Sequence, residues 1–427
     1  MDITNIIQLL KKNKLEVNIL FFSVLLLPVS LFVGPLIVEI LVFLICFSFI
    51  YNLILEKKKI SFNNFEIMFI SFFFLIVISS LLSDYKLISL KSSFLSIRFI
   101  ILIYAIIFII KKLDYFFKYF FIICFGTFIL NMFAGYLQII EDDFFLPNLG
   151  IAENIIVTGF FGDEKRLGSF LCRIFPLVVG CYLLVSKKEI NKKVINILIL
   201  FIPLFFLVFL TSERMALVYC VFTFLFFIFY AAKINRKVII IFSLLLILIP
   251  LLSYALNFNK FKETVTSSYN QIFPNGKMVF FSKQHQVFAL TSIELFKDKP
   301  ILGIGPNNFR RKCATSRDLI IKKYDFVDSK LQNCSTHPHN IFFQLLSEIG
   351  LIGIIYYIIF NTFLFIEVFR FLFKKNYNQI SFFFLLPVIY YLNPFFPSGN
   401  FFNNWYMCFG ILGLPFYLYL TKIKKSV

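Results

Sequence analysis

Residues 336 to 353 read THPHNIFFQLLSEIGLIG, and this stretch joins the end of a long polar segment to the start of a long apolar one. It brings the imidazoles of His337 and His339, with an amide and a carboxylate close behind, to the point where a membrane-spanning helix would meet water. The chain has three histidines, and the third, His285, lies in the same polar segment. Imidazole changes its charge near neutral pH, so we expect the chemistry of this protein at this boundary.

The composition around that stretch is typical of a membrane protein. Of the 427 residues, 59% are hydrophobic, and the mean hydropathy of +0.86 exceeds what a water-soluble core could absorb. A helix needs roughly 20 residues to cross the hydrocarbon layer, which predicts an all-α polytopic membrane protein with about 12 transmembrane helices in one embedded domain, residues 1–427. The predicted spans lie near residues 18–33, 35–55, 65–82, 94–110, 115–135, 169–186, 194–210, 214–231, 238–256, 340–365, 379–393 and 403–421.

Lysine and arginine distinguish the two sides of the predicted membrane. The short loops and span ends carry 22 of these residues on one side and seven on the other, and basic residues concentrate in short cytoplasmic loops. Both termini are therefore predicted to be cytoplasmic, with the first span retained as an anchor. The net charge of +19 needs no nucleic-acid partner, because the lysines lie in short runs between apolar segments.

Residues 257–338 are predicted to form one large, partly helical loop on the opposite, periplasmic side. Within residues 282–299, apolar side chains recur at three-residue steps, which predicts an amphipathic helix able to lie on the membrane surface. His285 lies in the first turn of this helix. A tight turn with two glycines follows at residues 303–306, before a short basic stretch.

The cysteines carry a second indication about this loop. Six of the eight lie inside apolar segments, where a thiol behaves as a small hydrophobic group. Cys313 and Cys334 instead share the 257–338 loop. If the loop faces an oxidising compartment, they could form a disulfide, although their spacing alone does not decide this.

Two arginines lie where apolar spans approach the predicted outer side. Thr211-Ser212-Glu213-Arg214 joins two spans with almost no loop. The guanidinium of Arg214 is suited to bidentate binding of a phosphate, and the structural alternative is an interface anchor. Arg173 lies one turn inside an apolar span, where an arginine either faces a cavity or partner or extends its side chain to the interface.

The pair His337 and His339 admits several interpretations. A metal site is a poor match, because no Cys or carboxylate set at zinc spacing completes the pair. A Ser-His-Asp triad stays open, although no serine lies in a nucleophile-elbow motif. A catalytic base is the simplest interpretation, since imidazole accepts a proton from a hydroxyl at neutral pH. The structural alternative is a histidine that only caps the helix starting at Asn340.

At this point the motifs resemble a known family. His339-Asn340, nine residues and then Gly350-x-x-Gly353 is similar to the signature of the bacterial O-antigen ligase family, which includes O-antigen polymerases and protein O-oligosaccharyltransferases. Residues 299–309, KPILGIGPNNF, resemble the family's segment before the histidine motif. The arginine between two spans and the single large outward loop are similar as well, so the resemblance extends over about residues 160–395.

The resemblance implies a metal-independent membrane glycosyltransferase without a cofactor, whose donor is a polyprenyl-diphosphate-linked glycan on the periplasmic face. His339 would be the base that activates the acceptor hydroxyl, and Arg214 would hold the donor diphosphate, which requires spans seven, eight and ten to surround one cavity. The family commonly has a second arginine at the start of the amphipathic loop helix. His285 occupies that position here, so Lys283, His285 or Arg310 would supply the second phosphate contact. The other candidate substrate-binding residues are Arg173, His337 and Asn340.

We therefore expect an enzyme of the bacterial inner membrane, surrounded by membrane lipids, that ligates a lipid-linked O-antigen to lipid A-core. An alternative with the same chemistry is a polymerase, whose acceptor is another glycan repeat unit. The alternative of another class is a multispanning transporter, since twelve spans with both termini inside are common among carriers. The sequence has no evident duplicated halves and, by our assignment of spans, no acidic residue deep within them, which favours the enzyme.

Overall fold

The structure, a computed structural model, describes residues 14–56, 64–141, 157–232, 282–316 and 334–423, together with isolated positions between residues 240 and 323. Within these residues all regular elements are helices. The α-helices are α1 (Leu15–Val33), α2 (Pro35–Glu56), α3 (Asn64–Leu81), α4 (Lys86–Lys112), α5 (Phe116–Glu141), α6 (Leu167–Val185), α7 (Ile190–Leu210), α8 (Arg214–Ala232), α9 (Lys283–Asp298), α10 (Phe309–Lys312), α11 (Ile341–Phe373), α12 (Gln379–Tyr391), α13 (Asn404–Ile411) and α14 (Leu414–Leu418).

The prediction of an all-helical, multi-pass membrane protein is confirmed. In the described residues, eight helices are long and apolar enough to cross a membrane, namely α1, α2, α4 to α8 and α11, while α3 and α12 are apolar but shorter. The number twelve stays a prediction, because the span expected at 238–256 lies almost wholly outside the described residues. Much of the 257–338 loop lies outside them as well.

The last predicted span, 403–421, is not one continuous helix. It is divided into α13, α14 and a π-helical turn at Tyr419–Ile423. The break falls at Gly413, where an added Cβ would meet the carbonyl of Phe384. Pro415 follows directly and cannot donate a backbone hydrogen bond. The close approach of the Phe384 backbone to Gly413, together with Pro415, therefore interrupts the segment that hydropathy alone predicts as one span.

Helix α11 is interrupted at Gly350, whose φ of 73° and ψ of −159° lie outside the helical region. The glycine loop, which we define as residues 299–309, fills this interruption. Four backbone hydrogen bonds join the two: Ile304 N–H to the Ser347 carbonyl (2.9 Å), Gly305 N–H to the Glu348 carbonyl (2.8 Å), Leu351 N–H to the Pro300 carbonyl (2.8 Å) and Ile352 N–H to the Ile301 carbonyl (3.4 Å). The loop thereby satisfies backbone groups that the helix leaves unpaired.

The glycines of the two sequence motifs meet at this contact. Gly303, with a φ of 68°, lies with its Cα against the backbone of Glu348, and an added Cβ would collide there. A Cβ on Gly350 would lie 2.6 Å from the backbone nitrogen of Gly303 and from the carbonyl of Ile301. Only glycine permits both the backbone conformation and this approach of main chain to main chain.

Serines at the end of α3 and the start of α4 hold the other side of the glycine loop. Three hydroxyls donate to its carbonyls: Ser79 to Leu302 (2.6 Å), Ser83 to Ile304 (2.8 Å) and Ser89 to Pro306 (3.0 Å). Asp84 forms ion pairs with Lys299 (2.6 Å) and Lys312 (2.5 Å). The hydrogen bonds from these two lysines lower the pKa of Asp84 to about 2. The loop is thus fixed between α3, α4 and α11.

The predicted amphipathic helix is present as α9, and Ser282 caps it by accepting from the His285 N–H (3.4 Å). One face of it is buried within the protein. The helix packs against α11, and its buried residues are Val287, Phe288, Thr291, Ser292 and Leu295. Of the apolar side chains at three-residue steps, Val287 is buried and Leu290, Ile293 and Phe296 are partly buried. The hydroxyls of Thr291 and Ser292 donate to carbonyls of the same helix, which satisfies them where they are buried.

Cys313 and Cys334 form a disulfide with a Cα–Cα distance of 5.2 Å, which settles the possibility that their spacing left open. The bridge lies in a small apolar cluster formed by Leu295, Ile304 and Phe309. It joins the end of the glycine loop region to the residues just before the histidine pair.

The expectation that the spans carry no deep acidic residue is wrong. Glu39 in α2 pairs with Arg98 in α4, with one of the contacts at 3.1 Å. Glu367, which is 1% exposed, pairs with Arg370 in the same helix. Glu348, which is 0% exposed, accepts from the Phe309 N–H (2.9 Å). Each of these carboxylates has a partner, as burial of a charge requires.

Candidate active site

The segment from the last turn of α12 to the first turn of α13 contacts several helices at one end of the bundle. Asn340, at the start of α11, donates from Nδ2 to the carbonyl of Pro394 (3.0 Å). The hydroxyl of Tyr219 in α8 donates to a carbonyl in the last turn of α12 (3.2 Å). Arg173 in α6 donates from Nη2 to the hydroxyl of Tyr406 (3.4 Å). The starts of α6, α8 and α11 therefore lie together, at what we call the histidine end.

All three histidines of the chain meet at this end. The ring centroids of His337 and His339 are 4.2 Å apart, and those of His285 and His339 are 6.0 Å apart. Phe288, one turn beyond His285 in α9, lies 5.3 Å from His339. The packing of α9 against α11 thus brings His285 to the pair at 337 and 339, and His339 lies between the other two. We call these three residues the histidine cluster.

His339 has an unusual backbone, with a φ of 57°. The Ser398 N–H donates to its carbonyl (2.8 Å) and helps to hold this conformation. Its Nε2 lies 3.1 Å from the hydroxyl of Ser335, and its side chain is half-buried. The cap of α11 is supplied by Asn340, whose Oδ1 accepts from the Phe343 N–H (3.3 Å). His339 is therefore not the residue that caps this helix.

The cluster holds its imidazoles in the neutral form. Burial lowers the pKa of His339 below its ordinary value of 6.5, and the nearby His285 lowers it further. Burial also lowers the pKa of His285. It lowers the pKa of His337 to about 4, with smaller contributions in the same direction from His339 and Arg310. Neutral imidazole can accept a proton, so the site is prepared for a base at neutral pH.

The hydrogen bonds separate the three imidazoles. His337 is 8% exposed, and its Nε2 lies 3.2 Å from the carbonyl of Ser398, which can only accept. Its Nδ1 therefore carries no proton and accepts from the hydroxyl of Thr336 (2.9 Å). Both of its nitrogens are engaged, which suits a supporting residue.

His285 and His339 each use a ring nitrogen with a serine. The Nδ1 of His285 lies 2.7 Å from the hydroxyl of Ser282. His339 bonds Ser335 and lies at the centre of the cluster. Each of these two imidazoles thus has one ring nitrogen held by a serine hydroxyl.

Two basic candidates of the loop lie beside the cluster with exposed side chains. Lys283 is the first residue of α9, two positions before His285. Arg310 lies in α10, and its positive charge helps to lower the pKa of His337. These residues supply positive charge near the cluster, as an anionic substrate group would require.

Glu213 and Arg214, at the turn before α8, differ in their surroundings: Glu213 bonds to α6, and Arg214 is exposed. The carboxylate of Glu213 accepts from the N–H groups of Gly168 (2.6 Å) and Ser169 (3.0 Å), in the first turn of α6. A carboxylate is favourable at a helix N-terminus because it interacts with the helix dipole. Arg214 follows as the first residue of α8, and its side chain is exposed at the histidine end. Glu213 thus fixes the turn from which Arg214 extends.

Arg173 lies inside the protein and does not extend to the surface, since it is 6% exposed. Its guanidinium packs over the rings of Tyr219 (5.1 Å) and Tyr406 (5.3 Å). Nη1 donates to the carbonyl of Ser169 (3.3 Å). The sequence left open whether Arg173 faces a cavity or partner or extends to the interface, and the structure places it against protein partners.

A largely apolar cavity of about 620 Å³ opens beside the histidine end, between α8, α11 and α12. Its lining includes Phe342, three residues after His339, and Tyr219, five residues after Arg214. His339 and Arg214 themselves are not among the lining residues, and α7 contributes none. This cavity is therefore not the one that we expected, because neither His339 nor Arg214 borders it and α12 takes the place of α7 in its wall.

The sequence did not reveal the partners of several residues of this site. Gln344 donates to Asn400 (2.7 Å), which joins α11 to the chain before α13, and to Glu348 (3.0 Å), which accepts from the Phe309 N–H of the glycine loop. A signal for Glu348 existed, because a carboxylate seven residues into an apolar helix needs partners. The serines of α3 and α4 left a weaker signal, seven serines within residues 79–96.

No group of three or more His, Cys, Asp or Glu residues is placed to hold a metal ion in the described part of the chain. The fold and the site define a multi-pass helical membrane protein with a cluster of neutral histidines and basic residues at one end of its bundle.

Residues 199–358 match the family model described as O-antigen ligase. Over these residues, the match confirms the resemblance to the O-antigen ligase family that the motifs predicted. The matched region runs from α7 into α11 and contains Arg214, the histidine cluster and the glycine loop. No curated protein matches the chain. The family supports a membrane function of the O-antigen ligase or polymerase type.

Proposed function

We infer that this protein transfers a glycan from a polyprenyl diphosphate to a hydroxyl acceptor, and that it is an O-antigen ligase whose acceptor is lipid A-core. The observation that carries this conclusion is the convergence of all three histidines beside exposed basic residues, at the end of a membrane bundle. The acceptor oxygen forms a bond to the anomeric carbon of the glycan, and the bond from that carbon to the diphosphate breaks. The acceptor proton and the leaving diphosphate each need a partner.

His339 takes the acceptor proton in this proposal. Its neutral form predominates at pH 7 because burial and His285 lower its pKa. Its half-buried ring can face a bound hydroxyl, whereas the ring of His337 is buried and engaged on both nitrogens. Asn340 and His337 orient the segment through bonds to the chain before α13. The proton leaves on the imidazolium and is released to water after transfer.

The leaving diphosphate is held by the exposed basic residues. Arg214 supplies the bidentate contact, since its planar guanidinium matches two phosphate oxygens. Lys283 and Arg310 are exposed beside the cluster and supply the second contact, in place of a second arginine at the start of α9. The activated donor already contains its leaving group, so these cations and His339 carry the reaction without a metal or cofactor.

The cavity of about 620 Å³ supports a lipid-linked donor. Its lining is largely apolar and includes Phe342 and Phe396 near the histidine end. The carbonyls of Pro394 and Phe396, in the cavity wall, also accept from Asn340. An isoprenoid chain in this cavity would therefore place its diphosphate close to the histidine cluster.

Two observations support a periplasmic site in the inner membrane. Disulfides persist in oxidising compartments, and the Cys313–Cys334 bridge lies beside the histidine cluster. The excess of lysine and arginine in short loops on the other side supports cytoplasmic termini. Together they favour a chain of the inner membrane whose 257–338 loop faces outward.

The polymerase keeps every one of these roles and changes only the acceptor. One argument against a transporter was that the spans carry no deep acidic residue. That argument no longer holds, because acidic residues do lie within spans. These carboxylates are nonetheless engaged by partners within the protein, as Glu39 is by Arg98. A carrier would instead need charges available to its cargo, so the enzyme remains the better-supported function.

The lipopolysaccharide profile of a deletion strain tests the proposal. Loss of a ligase leaves bare core, with polymeric glycan stranded on its lipid carrier. Loss of a polymerase leaves core that bears one repeat unit. An unchanged profile in the deletion strain would contradict both activities and would favour the transporter.

A further inference from the structure

A second cavity, of about 460 Å³, opens at the end of the bundle opposite the histidine cluster. Helix α6 starts at the histidine end and is 19 residues long, so its far end lies about 28 Å away. We call that end the lysine end, and we call residues 186–193, which comprise the link to α7 and its first turn, the connection. The lining comes from three helices and this connection: Phe121, Phe125, Phe175, Val178, Val179, Tyr182, Lys188, Asn196, Ile197, Ile199, Leu200 and Pro203.

The lining is apolar along its length and polar at its mouth. On α6, the residues from Phe175 to Tyr182 cover about 10 Å of helix, at 1.5 Å per residue. Near the mouth, Asn196 donates from Nδ2 to the hydroxyl oxygen of Tyr182 (2.6 Å). This bond leaves the Tyr182 hydroxyl able to donate its own proton to a ligand oxygen. The cavity is thus shaped for a molecule with an apolar chain and a polar oxygen-bearing head.

The charge at the mouth is positive. Among the described residues that line the cavity, Lys188 alone is charged. The connection also carries Lys187, Lys192 and Lys193 against a single acid, Glu189. Glu189 pairs with Lys192 at 3.5 Å, and Lys193 donates to a backbone carbonyl (3.1 Å), so the lysines outnumber the single acid and the charge here stays positive.

We propose that this cavity is a binding site for an anionic phospholipid. One acyl chain lies between α5, α6 and α7, and the headgroup phosphate meets Lys188 and the Tyr182 hydroxyl. A volume of this size is within the range of ligand pockets, about 300–1,000 Å³. The lysines favour an anionic headgroup, because each basic residue near a membrane surface strengthens the binding of anionic lipid about fivefold. The site does not depend on the proposed glycan transfer.

Lipid retention by the purified protein tests this site. The protein is equilibrated in micelles with equal amounts of phosphatidylglycerol and phosphatidylcholine, and native mass spectrometry counts the lipids that remain bound. We expect phosphatidylglycerol to be retained over phosphatidylcholine. Lys188→Gln should lower retained phosphatidylglycerol about fivefold and leave phosphatidylcholine unchanged.

Two further variants make the test specific. Lys111→Gln removes an exposed lysine at the end of α4 that does not line the cavity, and it should retain both lipids as the wild type does. Ile199→Trp fills the cavity from its exposed side, since Ile199 is 56% exposed, and it should lower retention of both lipids. Equal retention of the two lipids by the wild type, or the same result for Lys188→Gln and Lys111→Gln, would overturn the proposal.

Discussion

The contact between the glycine loop and α11 can be broken by one methyl group, in Gly350→Ala. The backbone of Gly350, with φ 73° and ψ −159°, lies in a region that is almost exclusive to glycine. Forcing another residue into such a region costs about 1–3 kcal/mol. The new Cβ would also lie 2.6 Å from backbone atoms of Gly303 and Ile301, which cannot move aside as a flexible side chain can. Overpacking of this kind costs about 1–3 kcal/mol more.

The total strain, about 2–6 kcal/mol, can be compared with the contact that it opposes. The four backbone hydrogen bonds between the loop and α11 contribute about 0.5–1.5 kcal/mol each, or about 2–6 kcal/mol together. The two quantities are of equal size. We therefore expect Gly350→Ala to release the loop from α11 while the transmembrane bundle stays folded.

Hydrogen exchange of peptides covering residues 299–309 measures this release directly. Exchange in the loop should rise by at least tenfold in Gly350→Ala, and glycan transfer should fall by a similar factor, because the loop positions the residues before the histidine pair. Gly126→Ala is the matched control, since an added Cβ there meets nothing within 4 Å inside α5. Wild-type exchange and transfer in Gly350→Ala would refute the argument that this contact positions the site.

Three further predictions concern the site. The rate of transfer should be constant above the pKa of His339, which lies below 6.5, and should fall as the pH drops through that pKa, because the protonated ring cannot accept a proton. Since His285 lowers this pKa, His285→Asn should move the midpoint of the fall to higher pH in initial-rate profiles. Arg214→Lys should slow transfer at least tenfold with normal protein levels, since a point charge does not replace the planar guanidinium, and wild-type kinetics would make Arg214 only an anchor. Cys313→Ser should lower the free energy of unfolding by about 3 kcal/mol, and an unchanged Tm would contradict the disulfide.

The helices were predictable where one physical signal dominates. Hydropathy and length located the long spans, because a bilayer imposes both on a crossing helix. Hydropathy could not locate the break at Gly413, since that break depends on how closely Phe384 approaches. The sequence also did not indicate that Thr291 and Ser292 of α9 are buried, because their hydroxyls are satisfied by carbonyls of the same helix.

The sequence predicted the types of residue in the candidate site. It did not predict the hydrogen-bond partners that hold them in place. Three histidines in one polar segment pointed to a common site, and the structure places all three together. The role of Glu348 depends on the N–H of Phe309, 39 residues away, and no local pattern reveals such a partner. The capping role of Glu213 likewise depends on α6 lying beside the turn. The motifs therefore indicated candidate site residues, and only the fold reveals which partners hold them in place.

The central claim is that His339 is the base, and His339→Ala in purified protein tests it most directly. The assay supplies a polyprenyl-diphosphate-linked glycan and a lipid A-core acceptor at neutral pH and follows the glycosylated product. Thermal unfolding and exchange of the 299–309 loop should match the wild type, which separates chemistry from folding. We predict a loss of about 100- to 10,000-fold in rate, the contribution of a general base. Product formed at the wild-type rate by the folded variant would contradict the account.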